Sequence, residues 1–104
     1  MHATIRRYEG VDKNRTDELS RKVNQTLVPK LSKLPGFKGY FLIDDGQGIM
    51  SSFGLFETAE QADKSTMLVS NWITDQHFDK VIPNAPKITS GKVVARSDRV
   101  LATV

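Results

Sequence analysis

The sequence changes its period once, across Leu34-Pro35-Gly36-Phe37-Lys38-Gly39-Tyr40, and that change limits the folds open to it. Upstream, apolar residues recur at Leu19, Val23, Leu27, Leu31 and Leu34, which draws a helix with one buried face. Downstream, Phe37 to Asp44 alternates as a strand does. Proline lacks an amide hydrogen and pushes its predecessor out of helical geometry, and glycine accepts positive φ, so Pro35 and Gly36 end the helix and turn the chain. Pro29 lies inside the helical stripe, where the loss of one backbone hydrogen bond predicts a kink.

The same signals divide the rest of the chain. Ala3 to Tyr8 reads as a first strand. Asp44-Asp45-Gly46-Gln47-Gly48 is a turn, and Ile49 to Glu57 returns from it as the second arm of a hairpin. In that arm Ser51, Phe53 and Leu55 face one way, and Met50, Ser52, Gly54 and Phe56 the other. Thr58-Ala59-Glu60-Gln61 fits a capping box opening a second helix, with a stripe at Ala62, Thr66, Val69 and Ile73. Asp75 is placed to cap a further short turn of helix carrying Phe78, Val81 and Ile82, before Pro83 and Pro86 stop it. Ile88 to Arg96 reads as the last strand.

The order strand, helix, strand, strand, helix, strand predicts an α+β fold: the ferredoxin-like split βαβ, a four-stranded antiparallel sheet with both helices on one face. We expect one domain over residues 1–104, with a core of about 2–96 and a C-terminal extension, 97–104, able to pair as an edge or exchanged strand. The strands carry apolar residues on both faces, Phe41 and Ile43 against Tyr40 and Leu42. Helices can cover only one of these faces, so the other predicts a homodimer packed sheet against sheet.

Composition excludes several functions. Without cysteine there is no disulfide, thiolate nucleophile or cysteine-ligated metal. No apolar run approaches the roughly 20 residues that span a bilayer, and the charged start lacks a signal-peptide core, so a cytoplasmic protein without a membrane role is expected. The net charge of +3 is spread along the chain and interleaved with acids, which speaks against a nucleic-acid surface. His2 and His77 have no acid at ligand spacing, and no metal site or cofactor is expected.

Three stretches carry a likeness. Pro35-Gly36-Phe37 with Gly39-Tyr40 after a helix, Phe56-Glu57-Thr58 with Ala62 entering the next, and Trp72 six residues before Phe78 resemble the dimeric α+β barrel superfamily. Within it the sequence is similar to the antibiotic-biosynthesis-monooxygenase-like (ABM-like) group, which includes small haem-degrading monooxygenases. The resemblance implies a homodimer whose sheets join as a barrel, each subunit keeping a pocket between sheet and helices for a small aromatic or apolar molecule. It implies a cofactor-independent monooxygenase, against the alternatives of a non-enzymatic dimer or ligand-binding module, and of haem binding through His77. The quinone-forming members place an Asn four residues before the Trp and a Tyr six after; Leu68 and Phe78 stand there. The haem degraders place an Asn near the end of the first strand and a His about ten residues past the Trp; this chain has Arg6 or Arg7, and Ile82.

The candidate catalytic residues are therefore Trp72, Asn71 and His77, and the candidate ligand-binding residues Phe78, Phe53, Tyr40 and Arg7. Trp72 serves equally as core or pocket wall, and His77 is better explained as a surface or helix-end histidine than as a general base or metal ligand. Arg6 and Arg7 point to opposite faces of their strand. One of them entering the interior would need a carboxylate or an anionic ligand; otherwise both reach solvent.

Overall fold

The computed structural model describes residues 1–97, so the edge or exchanged strand expected over 97–104 lies, beyond Ser97, outside the described residues. Strand β1 (His2–Tyr8) is followed by a helical arm of three parts: α1 (Thr16–Lys22), a π-helical turn (Val23–Leu27) and α2 (Val28–Ser32). Then come β2 (Phe37–Asp44), β3 (Met50–Phe56), α3 (Ala59–Asp75) and β4 (Lys87–Lys92). The sheet order is β2-β3-β1-β4 with every neighbouring pair antiparallel. This is the ferredoxin-like arrangement.

Pro29 does not break the helical arm. The turn before it widens instead, and the Val28 amide donates back to the Val23 carbonyl. The apolar spacing gives the reason: steps of four residues overshoot an α-helical turn by about 40° each. A π turn, which closes five residues apart, absorbs that drift, so Leu19, Val23, Leu27 and Leu31 are all buried.

α3 begins at the expected capping box: the Thr58 hydroxyl accepts from the Gln61 amide at 3.2 Å, and Gln61 Oε1 accepts from the Thr58 amide at 3.1 Å. Its buried seam runs through Ala62, Ser65, Val69 and Trp72, one step round from the expected stripe, with Thr66 and Ile73 only half-buried. The short helical turn expected after Asp75 is corrected too. α3 runs through Asp75 and closes with the His77 amide on the Thr74 carbonyl and the Phe78 amide on the Ile73 carbonyl, a Schellman ending. Residues 76–82 then form turns that still bury Phe78 and Val81.

α3 packs on β1 and β3, and α2 on β2. The core lies between these helices and the inner sheet face, where Thr4, Arg6, Tyr8, Met50, Ser52 and Phe56 are buried. The outer face has no helix. There Phe41 is 44% and Ile43 52% exposed, and Phe41 pairs in register with Phe53.

Candidate functional site

Strand parity decides which sequence candidates meet. Tyr8 and Met50 face the helices from the paired strands β1 and β3, and Tyr40 and Leu42 join them from β2. Val23 and Leu27 descend from the π turn, and Trp72 arrives from α3. These side chains line a small, part-open cavity of about 20 Å³, room for a single water. A crevice of about 130 Å³ between the helical arm and β2 shares Val23, Tyr40 and Leu42 with it and also has Ser20, Asn24 and Val28 on its walls.

Trp72 is 3% exposed and fixed on two sides. Its ring stacks on Phe78, with centroids 5.5 Å apart and planes 24° apart, and its Nε1 donates to Thr26 Oγ1 at 2.8 Å. The Thr26 hydroxyl in turn donates to the Lys22 carbonyl at 2.9 Å. The π turn thus supplies both the cavity's roof and the acceptor that orients its indole wall.

Four candidates lie elsewhere. Phe53 and Arg7 sit on the outer face of the sheet, because alternation gives the helix side to Ser52 and Arg6. Arg7 is corrected as an interior ligand group: its side chain is 51% exposed and lies 3.8 Å from Glu9 Oε1. Asn71 lines an open groove of about 460 Å³ between α2 and α3, with Lys30, Lys64, Leu68 and Asp75, and Trp72 borders that groove by its outer edge. The groove is roomier than the cavity and the crevice, yet its polar groups stand in water, where weak contacts compete with hydration. His77 is exposed, lines neither the cavity nor the crevice, and holds φ at 61° as the left-handed residue ending α3. Histidine is among the residues that tolerate that geometry, so its position has a backbone explanation.

Arg6, not Arg7, enters the interior. It is 1% exposed, and its guanidinium meets only hydroxyls: Ser52, Ser65 and Thr66. Burial lowers its pKa from the ordinary value, with the charges of Tyr8 and Tyr40 opposing that. Burial likewise raises the Tyr8 phenol, and it pushes Tyr40 up to about 12 against the opposing pull of Arg6 and a hydrogen bond with Ser52. Both phenols are therefore protonated donors at neutral pH. Among the described residues no group of three or more His, Cys, Asp or Glu could hold a metal, and no helix is long and apolar enough to cross a membrane.

No family model matches the chain, and no curated protein matches it. Solved structures do. NE2512, a protein of unknown function from Nitrosomonas europaea, is 14% identical with a TM-score of 0.71, covering 92% of this chain and 91% of that one. A monooxygenase from the gene ActVA-Orf6 of Streptomyces coelicolor, solved with the ligand nanaomycin D, is 7% identical with a TM-score of 0.70, covering 92% and 89%. A second Nitrosomonas europaea protein, one carrying the antibiotic biosynthesis monooxygenase name, is 13% identical with a TM-score of 0.69, covering 91% and 100%. The chain has the ABM-like fold. Identities this low show the shared fold alone and leave the chemistry of the chain to its own residues. On this ABM-like frame Leu68, four residues before Trp72, lines the outer groove, and Phe78, six after, is consumed in stacking.

Sequence reasoning missed Thr26 and the hydroxyls around Arg6. The apolar spacing of four was the available signal for the π turn, and Ser65 at a buried helix position was a signal for a polar partner on the sheet.

Proposed function

We propose that the chain is a homodimeric small-molecule-binding protein of the ABM-like fold, taking a small aromatic or apolar ring between the π turn and the sheet, against Trp72. The observation that carries this reading is the pairing of the 20 Å³ cavity with the 130 Å³ crevice across three shared residues. A guest that turns Val23 or Leu42 aside joins the two. Their joint size is comparable with the apolar cavity of about 150 Å³ that takes benzene. The apolar cavity walls suit the face of a ring, while Ser20 and Asn24 in the crevice and the Tyr8 and Tyr40 hydroxyls suit any oxygen it carries. The π turn is the element suited to yield, since such bulges recur at functional sites.

The second copy covers the outer sheet face, where Phe41 and Ile43 otherwise stay in water. Its mate is the same face of another chain, as two-fold symmetry requires.

Monooxygenation is the second reading, favoured by the nanaomycin-bound structural neighbour. Against it, Leu68 and Phe78 offer neither the amide nor the phenol that would polarise a reacting oxygen. Anthrone distinguishes the readings. Its oxidation consumes one dioxygen per molecule, leaving one oxygen atom as the new carbonyl and the other as water with the two methylene hydrogens. Calorimetry with an oxygen electrode is expected to record saturable binding with no uptake beyond the protein-free rate. Protein-dependent uptake would establish the monooxygenase reading, and absence of binding would contradict both.

A further inference from the structure

Arg6 is the one charged side chain buried among the described residues, and the interior supplies it no counter-charge. Nε and Nη2 donate to Thr66 Oγ1 at 3.2 and 2.8 Å, Nη2 donates to Ser65 Oγ at 2.7 Å, and Nη1 donates to Ser52 Oγ at 3.4 Å. Ser65 spends its own hydrogen on the Ala62 carbonyl at 2.6 Å, which frees its oxygen to accept. Every partner is neutral. The ion pairs found among the described residues join partly or fully exposed side chains, and none of these includes Arg6. Hydroxyl dipoles solvate a cation, but a buried charge left without an anion keeps much of its desolvation cost.

Its place in the sheet sets Arg6 next to residues of the cavity lining. Ser52 is Arg6's partner across β1 and β3, and Leu42 is the next residue over on β2. Tyr8 follows Arg6 by two residues on the same face. Tyr8, Tyr40 and Leu42 all line the cavity, and Arg6, although not itself on that lining, interacts electrostatically with both tyrosines.

Resting on the binding reading above, we infer that the guest of this site is an aromatic anion. It is a flat ring bearing one ionised oxygen group, carboxylate or phenolate, which accepts from the Tyr8 and Tyr40 hydroxyls and supplies the negative charge that Arg6 lacks. Charge-assisted hydrogen bonds are about twice as strong as neutral ones, and the low-dielectric interior strengthens the attraction of Arg6 for the ring's charge.

Calorimetry on the full chain with benzoate and with its neutral isostere benzamide tests this, joined by absorbance titration of 4-nitrophenol with pH. Benzoate is expected to bind at least roughly tenfold more tightly than benzamide, or bound 4-nitrophenol to ionise at lower pH than free. The first result names a carboxylate and the second a phenolate. Arg6→Met is expected to abolish the preference while keeping benzamide binding; the comparison in wild-type protein decides the matter even if that variant fails to fold. Equal affinity for both members of each pair overturns the inference and leaves the binding reading standing. Binding of none of these probes removes both.

Discussion

The indole of Trp72 and the hydroxyl of Thr26 meet at 2.8 Å across the gap between α3 and the π turn. One side-chain hydrogen bond therefore ties the wall of the cavity to its roof. In Thr26→Val the part-buried Nε1–H loses its acceptor, which costs about 1–3 kcal/mol. Urea unfolding is expected to report that loss, with Thr26→Ser recovering most of it. A Thr26→Val protein of wild-type stability would mean the bond contributes nothing.

Gly36 has φ of 75°, and a Cβ built on it would run into the Gln61 side chain that closes the capping box. Its carbonyl also accepts from the Glu57 amide at 3.0 Å. Gly36→Ala combines left-handed strain of about 1–2 kcal/mol with displacement of Gln61, worth about 1 kcal/mol more as a lost cap. Thermal melts should show a destabilisation larger than that of Gln61→Ala alone.

Phe41 and Ile43 form an apolar strip on the helix-free face, continuous with Phe53 through the β2–β3 register. Light scattering at micromolar concentration is expected to give twice the chain mass. Phe41→Lys should return a folded monomer with an unchanged circular dichroism spectrum. A wild-type monomer would leave this face without its proposed cover.

Tyr40 is pushed from 10.0 up to about 12 by burial first, with Tyr8 adding to it and Arg6 opposing. The folded chain then keeps a proton that the unfolded chain gives up. The stability this contributes is intact below pH 10 and is lost as pH rises toward about 12. Denaturation midpoints should fall through that window, and Tyr40→Phe should flatten the fall. An equally steep fall in the variant would assign the loss to other groups, Tyr8 first among them.

Much of the fold was legible because local rules and global topology agree. Thr58 and Gln61 announced a helix start, the Asp44–Gly48 turn announced a hairpin, and the apolar stripe announced the first helical arm. The inner face of the sheet was not legible, for a physical reason. Both faces carry apolar residues, so alternation alone could not tell Arg6 from Arg7, or Ser52 from Phe53. The α3 seam also shifted toward Ser65, because the buried guanidinium rewards hydroxyls at positions that hydrophobic counting leaves out. Sequence grouped Trp72, Phe78, Phe53 and Tyr40 in one pocket; Trp72 and Tyr40 line the cavity, Phe78 stacks on Trp72 and Phe53 lies on the outer face, while His77 and Asn71 were chosen by proximity in number to Trp72. Helical geometry set Asn71 in the outer groove, and the end of α3 set His77 at a turn.

Trp72 is the sole tryptophan of the chain, so a nitrogen-labelled sample has a single indole resonance. Following that resonance and the Thr26 amide while adding anthrone or benzoate tests most directly whether the hollow beneath the π turn is where a ring binds. Both signals are expected to move together and saturate at the calorimetric affinity. A ligand that binds while both signals stay fixed would place the site elsewhere and contradict the account.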